Sequence, residues 1–572
     1  PVQSGLVTAG SSAVRGRTAV DFVDLDYRRD QEVLQQSCEA AGLLQLAGGM
    51  APSFDGQQVT ELGFLRPPFD VGHSLVAGAG SIEGATPAPG VFNRYLYRFT
   101  YEWQDERGNW HTSEPSEPVL VEVSLANTLA KTVWDLATLG LTRKGDLLFD
   151  TGRNPSIAVF RTLKNAPERY YRLTDPNAVT TVSKRDQALA SFEDSFSDAQ
   201  VLALGFGILY TEGGALEHLA VPSALAVCTW GNRQWLVSGE DPRNVLFSKE
   251  LIPTEGPAFN LLFLSLRFDE EIVALAPQGA SLLAWSHGKT YAVSGEGPTD
   301  TGALSNWRGP YIVSEAVGCS DARSVVSFPG GVVWLAEQGF HVLAGAGGTP
   351  QFIGAPVLDL TRTYNRCRGA AHQPDQGLLL WTLQAANGAS LTVVFDYLRG
   401  CWYVWTPANS GGTRWPQACC VHNGDHTYAS NGGILRQYPG ALDDNGTYFA
   451  WRLILPWARL DGVLGYQRCW RAVVAIKRAT GVDVVMKLRH DEETSVAQSH
   501  AWTLASVSAP SSGRCVLDLH IARQKCRSLQ VELTEQLTDD TGPETGTVEI
   551  YGLQIDIGRK PGRQRLPAAN RS

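Results

Sequence analysis

Four tryptophans and a tyrosine recur at nearly equal intervals through the middle of this chain. Trp235 sits in ArgGlnTrpLeuVal, Trp285 in LeuLeuAlaTrp, Trp334 in ValValTrpLeuAla, Trp381 in LeuLeuTrpThrLeu and Tyr428 in HisThrTyrAlaSer. They lie roughly 47 to 50 residues apart, a period at which repeats mean propeller blades or solenoids. A Gly- or Asn-bearing turn and a second strand follow each anchor, as in HisGlyLysThrTyrAlaVal (287–293), GlnGlyPheHisValLeu (338–343) and AsnGlyGlyIleLeuArgGln (431–437). One such unit cannot bury both of its faces, so units of this kind must stack. The period predicts a β-propeller of five or six blades over 201–444, with the N-terminal region available to lend a closing strand.

The flanks read as further β modules. In 93–200, Tyr95, Tyr97, Phe99, Tyr101 and Trp103 alternate with Arg94, Arg98 and Glu102, the period of two of a strand buried on one face. A turn at Asp105–Asn109 returns the chain at Trp110, SerGluProSerGluPro follows at 113–118, and strands are expected at 119–123, 156–161, 170–173 and 192–194. This order of hairpin, Ser/Pro corner and later strands resembles the fibronectin type III modules found inside phage tail proteins. Six strand-like runs at 448–454, 471–476, 482–488, 514–519, 528–533 and 547–557 make 445–572 a β-sandwich. Residues 1–92 are expected to be irregular. Leu34, Cys38, Ala41 and Leu44–Leu46 suggest one helix over Arg28–Leu46, and the Gly/Pro/Ala-rich stretch 47–92 an extended linker or wrapping arm. The expected fold class is mainly β: a propeller with a fibronectin-III-like insertion and a C-terminal sandwich ending in a basic tail (Arg559, Lys560, Arg563, Arg565, Arg571) suited to subunit docking.

Chemistry leaves little trace. The net charge of −10 argues against gripping nucleic acid by its phosphates, which needs excess Lys and Arg, whereas an acidic wall suits a conduit through which DNA slides. Ten cysteines (38, 228, 319, 367, 401, 419, 420, 469, 515, 526) form no CxxC pair and no zinc spacing, and read as free thiols in a reducing cytoplasm. Adjacent Cys419 and Cys420 point to opposite faces of a strand. No secretory signal and no run of 18 apolar residues is visible, so neither secretion by that route nor membrane insertion is expected. No GxSxG, GxxxxGK[ST] or HExxH motif occurs. His422 and His426 lie four apart, but across an Asn–Gly turn rather than on a helix. Asp269–Glu270–Glu271 and Asp443–Asp444 are paired carboxylates, yet adjacency does not give the separation glycoside hydrolysis needs. AspAspAsnGly (443–446) reads as a turn rather than a calcium loop. No catalytic, cofactor or metal residue is assigned.

ValPheArgThrLeu (159–163), TyrTyrArgLeu (170–173) and SerPheGluAspSerPheSerAspAla (191–199) precede GlyAsnArgGlnTrpLeuValSerGlyGluAspProArgAsnValLeuPheSerLys (231–249) and GlyGlyValValTrpLeuAlaGluGlnGlyPheHisValLeu (330–343). Together, and with GlyLeuGlnIleAspIleGlyArgLysProGlyArg (552–563), these resemble the tail nozzle or hub proteins of short-tailed bacteriophages, also called tail tubular or packaged-DNA stabilisation proteins. The resemblance implies blade strands around a Gly-marked hairpin and no enzyme activity. It also implies a homo-hexameric ring in the virion tail, made in the host cytoplasm, that retains and then ejects genomic DNA without sequence-specific binding. The implied partners are a tail adaptor and other tail proteins. Two other functions fit a propeller: a glycan-processing enzyme, or a monomeric scaffold binding a protein partner.

Overall fold

In a computed structural model the chain is mainly β, built from many small sheets. The structure describes residues 36–49, 51–56, 59–85, 90–139, 155–178, 180–184, 187–221, 223–345, 347–406, 416, 418–422, 424–430, 433–436, 443–444, 447–448, 450–459, 466–479, 481–507, 513–537 and 548–559. Two compact units divide the chain. One holds Pro1–Trp405 with Pro416–Gly424 and Tyr428–Ile434; the other holds Leu435–Ser572 with Thr406–Trp415 and Asp425–Thr427.

The first described element corrects the sequence reading. β1 (Ser37–Ala40), β2 (Leu43–Leu46), β3 (Pro52–Phe54) and β4 (Val59–Glu61) form a four-stranded antiparallel meander. No helix spans 36–46, and residues 28–35 lie outside the described ones. The helix-like spacing arises because Ala41 (φ 53°) and Gly42 (φ 71°) make a two-residue turn between short strands. That reversal places Ala40, Leu43 and Leu46 in the core at intervals resembling a helical stripe. The expected linker is likewise partly strand, since it supplies β3, β4 and β5 (Asp70–Val76).

β5 belongs to the next module, with β6 (Asn93–Gln104), β7 (Trp110–Thr112), β8 (Val119–Val123), β9 (Lys131–Ala137), β10 (Ser156–Leu163), β11 (Ala166–Arg172) and β12 (Leu189–Asp194). One sheet runs β11-β10-β6-β7, with β8 also paired to β6; the other runs β12-β9-β5. They share one core, into which Tyr95, Tyr97, Phe99, Tyr101 and Trp103 all project as the alternation predicted. Arg161 is fully buried beneath it. Its Nη1 reaches Asp194 Oδ2 at 2.7 Å, its Nη2 reaches Asp198 Oδ1 at 3.0 Å, and its guanidinium lies 5.1 Å from the Tyr95 ring centre. Tyr97 donates to the same Asp194 oxygen at 2.7 Å. Burial works against the Arg161 charge, and Asp194, Tyr97 and Asp198 more than offset it. α1 (Asp198–Leu204) follows, opened by a capping box between Ser197 and Gln200.

Then come the repeats. β13 (Ala224–Trp230), β14 (Arg233–Ser238), β15 (Asn244–Phe247) and β16 (Ser265–Arg267) form one antiparallel meander. β17 (Ala274–Gln278), β18 (Ser281–Trp285), β19 (Thr290–Ser294) and β20 (Arg308–Ser314) form a second. β21 (Val326–Phe328), β22 (Gly331–Ala336), β23 (Gly339–Leu343) and β24 (Gln351–Phe352) form a third, followed by α2 (Leu358–Thr363). β25 (Arg366–Gln373), β26 (Leu378–Gln384), β27 (Ser390–Asp396) and β28 (Cys401–Trp405) form a fourth; β29 (Ala418–His422), β30 (Asp425–Ser430) and β31 (Gly433–Arg436) form a three-stranded sheet. Every aromatic anchor lies on the second strand of its sheet: Trp235 on β14, Trp285 on β18, Trp334 on β22, Trp381 on β26 and Tyr428 on β30. The four tryptophans are fully buried. Of the hairpin run at 431–437, residues 431, 432 and 437 lie outside the described ones.

The second unit holds β32 (Asp443–Asp444), β33 (Thr447–Tyr448), β34 (Arg452–Ile454), β35 (Gln467–Lys477), β36 (Val482–His490), β37 (Gln498–Thr503), β38 (Arg514–His520), β39 (Lys525–Cys526), β40 (Leu529–Leu537) and β41 (Glu549–Arg559). Sheet β34-β40-β36-β37 and the sheet in which β35 pairs with β38, β39 and β41 enclose one apolar core. The basic tail beyond Arg559 lies outside the described residues.

Two stability outcomes follow from the anchors and the buried arginine. Trp381 Nε1 donates to the Ser324 carbonyl at 2.8 Å, whereas Trp285 Nε1 has no hydrogen-bond partner among the described residues. Chemical denaturation should therefore show Trp381→Phe costing about 1–3 kcal/mol more than Trp285→Phe, because only the former leaves a buried carbonyl unpaired. Arg161→Ala should cost about 3–5 kcal/mol in the same assay, because it leaves the buried Asp194 charge without its cationic partner.

Candidate functional site

Of the carboxylates singled out in the sequence, Asp269 and Glu270 are committed to ion pairs. Asp269 accepts from Tyr291 Oη at 2.5 Å and from Lys289 Nζ at 2.9 Å. Glu270 accepts from Ser286 Oγ at 2.6 Å and pairs with the same Lys289 Nζ at 2.9 Å. The Tyr291 hydrogen bond and then Lys289 hold the Asp269 carboxyl below its ordinary range; Ser286 and then Lys289 do the same for Glu270. A general acid for glycoside cleavage needs the opposite shift. Asp443 and Asp444 form β32 and pair with Tyr448 and Thr447 across a hairpin. His422 lies on β29 and His426 on β30. No group of three or more His, Cys, Asp or Glu that could hold a metal ion occurs among the described residues.

One polar cavity of about 260 Å³ in the first unit brings together residues that no sequence motif joined: His111, Tyr210, His218, Lys249, Glu255 and Asp300. They arrive from four segments: β7, the connection from α1 to β13, the one from β15 to β16, and the one from β19 to β20. His111 stands on β7, where its Nε2 meets Asp105 Oδ2 at 2.9 Å. Asp105 also accepts from the backbone of Arg107 and Asn109 and from Asn109 Nδ2, so it organises the hairpin turn as well as the imidazole. The His111 ring lies against Gly256, where an added Cβ would come within 2.2 Å of it. Only glycine permits that approach.

Across the cavity Tyr210 stacks on His218 with ring centres 4.1 Å apart, and His218 Nδ1 donates to the Thr112 carbonyl at 3.1 Å. Lys249 is buried; its Nζ donates to the Leu216 carbonyl at 2.5 Å and sits 5.3 Å from the Tyr210 ring centre. Burial, and then the nearby Lys249 charge, pushes the His218 pKa down to about 3. Burial also pushes Lys249 down to about 8, against the opposing pull of Asp300 and Glu255. At neutral pH the cavity therefore holds a neutral imidazole and a mostly protonated amine. Such a set can hydrogen-bond a small polar molecule, but His218 is too weak a base to serve as a proton acceptor there. In the second unit a cavity of about 310 Å³ is lined by Leu455, Pro456, Trp457, Ala458, Leu529, Val531 and Ile555, with no titratable side chain.

No protein-family model matches the chain, and no curated protein matches it. Among solved structures, a structure titled Mitotic Checkpoint Complex aligns at 9% identity, covering 71% of this chain and 90% of that one, with a TM-score of 0.28. The N-terminal domain of Nup159 aligns at 10% identity over 80% of this chain and 100% of that one, with a TM-score of 0.23. Hsv2 of Kluyvelomyces marxianus aligns at 8% identity over 48% and 69%, with a TM-score of 0.25. At scores this low these likenesses do not bear on fold or function.

The cavity makes a pH prediction. The folded-state pKa of His218, about 3, lies below the ordinary value of 6.5, so the unfolded chain takes up the proton first as pH falls. The contribution is intact above pH 6.5 and is lost between there and about pH 3. Urea titrations across this window should show stability falling by up to about 1.4 kcal/mol per pH unit from this group, and His218→Gln should remove that part of the slope.

Proposed function

We propose that this chain is a non-catalytic β-propeller scaffold that acts by binding protein, with the meanders as blades, a fibronectin-III-like insertion and a C-terminal β-sandwich. The order of contacts supports the propeller. The first strand of each sheet lies against the first strand of the next, β1 on β13, β13 on β17, β17 on β21, β21 on β25 and β25 on β29. Gln36 Nε2, at the start of the first sheet, donates to the Ala322 carbonyl at 3.0 Å, across 286 positions of sequence. In this reading β1–β4 is the sixth blade, and the ring closes between it and β29–β31.

Exposed apolar side chains at one set of turns carry the binding reading. Leu262 and Phe263 lie between β15 and β16, Leu304 between β19 and β20, and Leu398 between β27 and β28; they are 77%, 63%, 82% and 70% exposed. All three turns join the third strand of a meander to its fourth, so in a propeller they share one rim. Leu398 packs beside Gly377 in the turn between the first two strands of its own sheet, a turn at the same end. Apolar side chains gathered on one rim suit a protein contact.

A subunit of a ring-shaped phage tail conduit, holding and then releasing DNA, is the more specific form of this reading. What favours it is the placement of the tail-like strings: 231–249 spans the β13–β14 turn, β14 and β15, and 330–343 spans β22, its turn and β23. Native mass measurement and electron microscopy of the full chain test both forms. Six-fold rings with a central channel would establish the conduit, and replacing Leu262, Phe263, Leu304 and Leu398 by Ser should then return monomers with an unchanged unfolding midpoint. A chain that stays monomeric at every concentration removes the conduit and leaves the monomeric scaffold. Glycan cleavage lost on replacing Asp269, Glu270 and Glu271 by their amides would overturn the non-catalytic reading altogether.

A further inference from the structure

Two of the ten cysteines face each other in the core of the second unit. Cys469 on β35 and Cys526 on β39 are both fully buried, with their sulfurs 3.7 Å apart. Gln467 pairs with Cys526 and the Cys469 amide donates to the Gln524 carbonyl, so the two cysteines are diagonal neighbours on adjacent antiparallel strands. We propose that Cys469 and Cys526 are an oxidation site that closes into a disulfide in the presence of a peroxide. The sulfurs need to approach by about 1.7 Å to reach bonding distance, which takes side-chain rotation together with a small shift of the short strand β39 toward β35.

The pair is asymmetric. Gln467 Nε2 donates to Cys526 Sγ at 3.9 Å, which makes Cys526 the sulfur that accepts hydrogen bonds. Cys526 is therefore the first nucleophile. Its thiolate attacks one peroxide oxygen, the O–O bond breaks, and a sulfenic acid forms with release of water after protonation. The Cys469 thiol then attacks the sulfenic sulfur, loses its proton, forms the S–S bond and expels the hydroxyl as a second water. Two thiols lose two electrons and two protons, and hydrogen peroxide takes them up. β39 is only two residues long and its Cys526 is flanked in sequence by exposed Lys525 and Arg527, so a local opening of this strand admits a small oxidant.

Peptide mapping of the full chain after hydrogen peroxide treatment and alkylation under denaturing conditions tests this. The expected product links the Cys469 and Cys526 peptides with loss of two hydrogen atoms in mass, while buried Cys228, Cys319 and Cys367 remain fully alkylated. Thermal unfolding of the oxidised chain should shift upward by several degrees, because the crosslink closes a long loop in the unfolded state. With dimedone present, Cys469→Ser should give a dimedone adduct on Cys526, and Cys526→Ser should leave Cys469 unmodified. Both thiols recovered fully alkylated after treatment that oxidises exposed Cys401 would overturn the proposal, as would equal dimedone labelling in the two variants.

Discussion

A four-stranded meander has two apolar faces, and neither can be left in water. That constraint organises the first unit. The four sheets that carry the tryptophans each bury one face against the sheet before and one against the sheet after, which is why Trp235, Trp285, Trp334 and Trp381 have no exposed surface on strands only five to seven residues long. Several indole N–H groups take their hydrogen bonds from a neighbouring sheet or from the connection leading into one. Trp230 donates to the Gly279 carbonyl and Trp381 to that of Ser324. Apolar burial supplies the driving force for stacking, and these directed bonds fix how far one sheet slides over the next.

Several charges in the interior are matched by a partner of opposite sign. Arg161 meets Asp194 and Asp198 under the aromatic row of β6, and Arg172 makes a two-pronged pair with nearly buried Glu102 at 2.9 and 2.7 Å. In the second unit Glu532 has Arg452 at 2.8 Å and Arg489 at 2.7 Å, and the Arg452 hydrogen bond leads in pushing its pKa down to about 2. These pairs cost desolvation and return little net stability, but breaking one would leave a buried charge alone. Lys249 differs, because a carbonyl and an aromatic face hold it while its nearest acids act only at longer range. The polar cavity that holds this weakened amine lies beside the β6–β7 hairpin.

Much of the fold was legible in advance. The anchor spacing located one strand in each of five sheets, because an aromatic that fills the space between stacked sheets must recur with the repeat. The alternation from Tyr95 to Trp103 located the core face of β6. The β1–β4 sheet was missed because its second strand, LeuLeuGlnLeu, carries no aromatic anchor and its two-residue turn imitates a helical stripe. The cavity was missed as well. His111, His218, Lys249 and Asp300 are scattered over nearly two hundred positions, and no local spacing records that they meet.

The sequence by itself determined the secondary structure class, the repeat and the face that β6 buries, because all three depend on periodicity along the chain. Only the tertiary structure decided which sheets neighbour one another, that β5 leaves the supposed linker to pair with β9, and that Lys289 bridges Asp269 and Glu270. It also brought Cys469 and Cys526 within van der Waals contact across 57 positions of sequence. Such meetings depend on how strands pair and sheets stack, and those are set by the shape complementarity of whole surfaces rather than by any short run of residues.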